Sequence, residues 1–210
     1  AEGDGAPGAD FSGQPVFVDT IFRIDQCGVC FGAILLHSPN HSSPNAQLSF
    51  VLDLKDELAT EGLGCLLASV LPPGVVVWLD GDLGAGKTTL VRALLRGLGY
   101  VGPVKSPTYT LVEVYVISSI YWYHFDFYRF NDPEEFADAG LGEYFRDDAV
   151  CLVEWPEKAE GYVPPADLVL VFRFPEKQSR AGRVLQLSAG SERGAACLTK
   201  LASRIESGVT

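Results

Sequence analysis

The segment Gly81-Asp82-Leu83-Gly84-Ala85-Gly86-Lys87-Thr88 constrains this chain more than any other part of it. It fits the pattern GxxxxGK[ST]. An apolar run at residues 75–79 precedes it, and an apolar-periodic stretch at 87–98 follows it, closed by Gly99. That strand–loop–helix order separates a phosphate cradle from a glycine-rich turn that binds nothing. Glycines let the loop curl until backbone N–H groups converge on phosphate oxygens. The helix start adds its dipole. Lys87 is placed to neutralise β and γ phosphates, and the Thr88 hydroxyl to ligate Mg²⁺. Thr89, next on the helix, points to the α phosphate. ATP and Mg²⁺ are therefore the expected cofactors.

The flanking pattern sets the fold class. Residues 48–54 read as a strand and 56–70 as a helix with Leu58, Leu63, Leu66, Leu67 and Val70 on one face. The run 75–79 predicts a strand buried on both faces. Residues 109–116 and 120–125 form two β-prone runs joined by Ser118-Ser119, a hairpin signal. Short helices are expected from Asp132 and over 142–146, strands over 149–153, 167–174 and 183–187, and a closing helix over 191–205 capped by Ser191. The alternation predicts an α/β fold: a P-loop NTPase three-layer sandwich, with a mainly parallel central sheet and antiparallel additions. The ATPase domain spans 48–210. Residues 1–47 are rich in Gly, Pro, Ser and Asn and read as a poorly ordered extension, whose strand-like piece at 16–24 lacks a partner.

A P-loop ATPase needs carboxylates near the metal and the attacking water. They stand at the ends of buried strands beside the loop. Asp126 closes the run Ile120-Tyr-Trp-Tyr-His-Phe, and Glu154 closes Ala149-Val-Cys-Leu-Val. A single strand-end acid is as often a solvated side chain; two of them after a P-loop favour a site. Both are within expected reach of Mg²⁺, and Glu154 is also a candidate water-orienting base. Lys87, Asp126 and Glu154 are the candidate catalytic residues. Trp155 either stacks on a ligand or belongs to the core. Residues 105–110 connect the P-loop helix to the next strand, where Ser106 and Thr108 offer hydroxyls for sensing the γ-phosphate. The alternative is an ordinary turn begun by Ser-Pro. His124 reads as a core or hydrogen-bonded histidine, and Arg129 as a charge stabiliser or half of an ion pair.

The net charge of −11 and pI near 4.6 argue against holding RNA or DNA directly, which needs a basic face. They argue equally against a membrane-surface role. No stretch is long and apolar enough to span a bilayer, and no secretory signal is present, so the cytoplasm is the expected location. The five cysteines are scattered, which is no disulfide framework. A zinc site at Cys27 and Cys30 would need His37 and His41 as further ligands; two thiols in an apolar run is the simpler account.

The strings GDLGAGKTTL, VKSPTYTLVEVY, YHFDFYR and LVEWPEKAEG, in this order, resemble the TsaE family, formerly the YjeE-type ATPases. The resemblance runs from about Leu48 to Phe174 and includes Thr60, Leu63 and Gly64 of a Thr-x-x-Leu-Gly pattern. It implies a small Mg-dependent ATPase needed to make threonylcarbamoyladenosine next to the tRNA anticodon. It implies binding to the TsaB–TsaD pair, whose TsaD member performs the transfer, with ATP hydrolysis resetting that complex and tRNA touched only through it. By residue, it implies phosphate binding by Gly81, Asp82, Leu83, Gly84, Ala85, Gly86 and Lys87, and Mg²⁺ at Thr88 and Glu154. Asp126 becomes a second metal-associated or catalytic acid. Thr60 falls near the adenine end, Ser106–Thr110 form a switch-like loop, and Trp155 is a functional aromatic. Two departures stand out: residues 1–47 have no counterpart in short members, and 116–122 is more apolar than expected before YHFD.

Other classes remain for comparison. A small-molecule kinase lacks support, since no arginine-rich lid is visible. A GTPase would carry NKxD, which is absent. A non-catalytic ATP-binding docking module would not need Lys87, Thr88, Asp126 and Glu154 together. No arginine finger is evident, so slow hydrolysis alone and activation by partner proteins are expected.

Overall fold

Alternating burial along Ser49–Leu54 and Val76–Asp80 shows two strands with one face turned fully into a core. The computed structural model describes residues 48–175 and 182–207, together with the backbone of three strands before them: β1 (Phe17–Val18), β2 (Ile21–Ile24) and β3 (Cys30–His37). Then follow β4 (Ser49–Leu54), α1 (Glu57–Ala68), β5 (Val76–Asp80), α2 (Lys87–Gly97), β6 (Val112–Ile117), β7 (Ile120–Asp126), α3 (Glu135–Asp138), β8 (Ala149–Glu154), β9 (Leu168–Arg173), β10 (Arg183–Ala189) and α4 (Glu192–Ser207). No helix among them is long and apolar enough to cross a membrane.

The sheet order is β1-β3-β4-β10-β9-β5-β8-β7-β6, with β2 paired to β3. The centre, β9-β5-β8-β7, is parallel. The flanks, β10 with β4 on one side and β6 on the other, are antiparallel. The strand-like run at 16–24 does find a partner, because β1 and β2 both pair with β3, which pairs with β4. The remainder of the 1–47 extension lies outside the described residues.

Local chemistry explains the boundaries. The Asp56 carboxylate caps α1 by accepting from Ala59 N at 2.8 Å. Ser191 caps α4 by accepting from Gly194 N at 3.1 Å. Ser118 and Ser119 both take positive φ, as a two-residue hairpin turn between β6 and β7 requires. The Glu135 carboxylate reaches back to the N–H groups of Asn131 and Asp132, fixing the start of α3.

Helices α1, α2 and α4 cover one face of the sheet over the larger core. Among the described residues, the other face carries only α3, two 3-10 turns (Leu141–Tyr144 and Pro156–Ala159) and an aromatic cluster around Phe125, Phe127 and Phe136. This thin layer corrects the expectation for residues 75–79. Val75, Val77 and Leu79 are buried, but Val76 and Trp78 on the thin side are only half-buried. Among the strands whose burial is described, β8 is the one buried throughout.

Gly64 shows why a small residue stands in α1. A Cβ there would meet Ala93 Cβ at 2.5 Å and Leu94 N at 2.8 Å, so α1 and α2 touch through their backbones. Backbone cannot rotate away as a side chain can. Gly64→Val is expected to cost about 1–3 kcal/mol by overpacking, read by urea unfolding. A loss below about 0.5 kcal/mol, the range of an inert surface change, would contradict this contact.

Candidate active site

The loop leaves the end of β5 and enters α2. Gly84 (φ 76°) and Gly86 (φ 110°) take left-handed conformations that side chains resist, which lets successive amides face one side. Gly86 is the N-cap of α2 and has no side chain to satisfy the first-turn N–H groups. Those orphan donors are what an anion would meet.

Strand order brings the acids to this loop. Strand β8 lies directly beside β5, and β7 beside β8. Glu154 aligns with Leu79 on one side and with Asp126 on the other. A cavity of about 280 Å³ forms over the strand ends, lined by Leu83–Thr89, Ser106, Thr108, Asp126, Tyr128, Glu154 and Trp155. A second, of about 210 Å³, lies across the loop tip. Asp56, Glu57, Thr60, Thr89 and Arg183 line it, and it shares Gly84–Gly86 with the first. Each alone falls below the range of roughly 300–1,000 Å³ usual for small-molecule pockets, whereas both together fall within it.

Glu154 is 3% exposed, and its Oε1 accepts from the Thr88 hydroxyl at 2.7 Å. The same oxygen is 2.9 Å from His124 Nε2. His124 is wholly buried, so it is a hydrogen-bonded core histidine whose partner is a site residue. Asp126 is arranged differently. Its Oδ2 accepts from the hydroxyls of Ser106 and Thr108, the latter at 2.8 Å, while Oδ1 accepts from Tyr128 N at 3.0 Å. Residues 105–110 are thereby tied to Asp126, and Glu154 to the P-loop helix.

Lys87 is buried and donates to the carbonyls of Gly81 and Asp82, at 2.5 and 2.9 Å. Burial pulls its ammonium below the usual lysine value, and the charges of Glu154 and Asp126 oppose that pull. The ammonium also lies 4.1 Å from the centre of the Trp155 ring. Trp155 takes a left-handed backbone (φ 60°, ψ 48°), which costs a non-glycine residue about 1–2 kcal/mol. Its ring stands at the cavity wall and also touches the smaller core, so both alternatives hold in part.

All the sequence candidates for phosphate binding gather here, though Gly81 and Asp82 contribute carbonyls to Lys87 rather than wall to the larger cavity. Thr60 lies on the far side of the loop tip. Arg129 is not in either wall; its guanidinium lies over the Tyr109 ring at 4.1 Å. The side chains of Cys27, Cys30, His37 and His41 lie outside the described residues, and no group of three or more metal-ligating His, Cys, Asp or Glu occurs among those described. Tyr128 and Arg183 are wall residues that the sequence reading did not single out, although Tyr128 lies within the YHFDFYR string. Arg183 stands on β10, 98 residues along the chain from Ala85, whose carbonyl it meets.

A parallel α/β core with a glycine loop between β5 and α2, and an acid at the end of the neighbouring strand, is a P-loop NTPase fold. The amino-acid sequence of residues 54–183 matches the family described as threonylcarbamoyl adenosine biosynthesis protein TsaE. The chain belongs to the TsaE family. A Haemophilus influenzae protein named tRNA threonylcarbamoyladenosine biosynthesis protein TsaE is 42% identical over 142 residues, covering 65% of this chain and 90% of that one. A Bacillus subtilis protein of the same name is 42% identical over 114 residues, 54% of this chain and 71% of the relative. The crystal structure of YdiB from B. subtilis superposes with a TM-score of 0.64 at 29% identity, over 75% of this chain and 97% of that one.

Proposed function

We propose that this chain is a Mg-dependent ATPase acting in the formation of threonylcarbamoyladenosine in tRNA, where it binds a TsaB–TsaD pair and resets it by hydrolysing ATP. The observation that carries this is the hydrogen bond from Thr88 to Glu154, which joins the P-loop helix to the neighbouring strand-end acid. Membership of the TsaE family supports the pathway.

The donor set fits magnesium, a hard cation that prefers oxygen ligands. Thr88 and Glu154 present a hydroxyl and a carboxylate 2.7 Å apart beside the phosphate loop. They would hold the ion, with Asp126 nearby, and when bound it neutralises phosphate charge. The loop amides and the start of α2 bind phosphate oxygens. Lys87 neutralises the β and γ phosphates. Asp126, anchored by Ser106, Thr108 and Tyr128 N, orients the attacking water and takes its proton as the γ-phosphoryl leaves ADP. Ser106 and Thr108 transmit the presence of the γ-phosphate to residues 105–110 through the same bonds.

Among the described residues lining the larger cavity, Lys87 is the only cation. Transition-state charge is therefore under-compensated, which suits slow hydrolysis alone and a cation supplied by a partner. The acidic chain favours docking on a basic surface, with tRNA held by the partners. The test is a pull-down of TsaB and TsaD with and without ATP, coupled to ATP turnover. Binding and a rise in turnover are expected. A pair that neither binds nor stimulates removes the proposal.

A further inference from the structure

We infer that Arg183 is a positioning residue that holds the phosphate loop in its anion-binding conformation from outside. The inference rests on the nucleotide-binding role proposed above, and it concerns a residue that joins the loop only in three dimensions.

A loop that aims its N–H groups at a ligand must send its carbonyls elsewhere, and each needs a partner. Here such partners can be named for the carbonyls of Gly81, Asp82, Gly84, Ala85 and Gly86. The carbonyls of Gly81 and Asp82 accept from Lys87, and Asp82 O also accepts from Ala85 N at 3.1 Å. Gly86 O accepts from Leu90 N at 3.0 Å as α2 begins. At the tip, Arg183 Nη2 donates to Gly84 O at 3.0 Å and Nε to Ala85 O at 2.8 Å. The two bonds come from neighbouring nitrogens, Nε and Nη2, along one edge of the planar guanidinium, so they fix the orientation of two successive peptide groups.

The guanidinium is itself held. Nη1 donates to Gly182 O at 2.7 Å, and the group lies over the Phe174 ring, 4.5 Å from its centre. Arg183 opens β10, which is paired on both sides, to β9 and to β4. The brace is therefore anchored in the sheet and not in the loop it supports. Gly84 and Gly86 give the loop its conformational freedom, and that freedom is what must be restrained before ligand arrives.

The test compares wild type, Arg183→Ala and Arg183→Lys by amide hydrogen exchange without nucleotide, by ADP binding, and by ATP turnover at saturation. In Arg183→Ala, exchange should rise within 83–89 while the other helices keep their protection. The ADP Kd should rise about tenfold, about 1.4 kcal/mol, and saturated turnover should fall as well, because the loop that Arg183 braces also carries Lys87 and Thr88. Arg183→Lys, which can make one of the two bonds, should fall between. Unchanged exchange at the loop overturns the inference, and so does a uniform rise across the whole domain, which would mark a merely structural arginine. If wild type fails to bind ADP, the nucleotide role fails, while the exchange experiment still decides whether Arg183 braces the loop.

Discussion

Lys87→Ala should lose ATP turnover by about 10²–10³-fold, the usual cost of removing one preorganised donor from developing transition-state charge. Among the described residues, Lys87 is the sole cation in the wall of the larger cavity, so no neighbouring side chain there takes over. Its present bonds to Gly81 O and Asp82 O show the ammonium already folded into the loop, needing only a short exchange of acceptors to reach a phosphate. The variant should nonetheless stay folded. Burial lowers the Lys87 pKa, so below that folded value the charged form is held at a cost that the unfolded chain does not carry. Stability rises with pH between the folded value and the ordinary one, because the unfolded state binds the extra proton in that window. Removing the side chain at neutral pH relieves the cost. Thermal unfolding of Lys87→Ala should therefore stay close to wild type without nucleotide, since relief of that cost is set against the loss of the bonds to Gly81 O and Asp82 O, and the upward shift on adding ATP should vanish. Turnover within threefold of wild type would sink the assignment.

Glu154→Gln should reduce turnover at least about 10²-fold, with a different signature. The amide keeps the shape and can still accept from Thr88, but it lacks the charge that a divalent cation needs. The midpoint of a magnesium titration should move to higher concentration, while ADP binding without magnesium stays near wild type, because the loop amides and Lys87 are untouched. Asp126→Asn serves as the contrast. Asp126 is bonded to Ser106, Thr108 and Tyr128 N and not to the P-loop helix, so its loss should lower saturated turnover with the magnesium midpoint little moved. If the two variants behave alike in the magnesium titration, the division of roles between the acids is wrong.

Much of the site was legible because its parts are contiguous. Loop, strand and helix around Gly81–Thr88 are neighbours along the chain, and an acid closing an apolar run is visible at Asp126 and at Glu154 alike. The thin layer over Val76 and Trp78 was not legible, since a continuous apolar run does not say how much will be packed on each face. Gly64 stood out only through the resemblance; the helix contact gives the physical reason for it.

The sequence by itself determined the candidate phosphate loop, the order of strands and helices from residue 48 onward, and the two strand-end acids, because periodicity and turn chemistry act over a few residues; β3 was read only as part of an extension. The tertiary structure alone decided that β8 lies between β5 and β7, so that Glu154 meets Thr88 and Asp126 meets the hydroxyls of Ser106 and Thr108. It also decided that His124 shares an oxygen with Thr88, that Trp155 faces Lys87, and that Arg183 meets a loop residue 98 positions before it in the chain. These contacts depend on sheet order and crossover connections, which bring together residues whose separation along the chain carries no periodic signal.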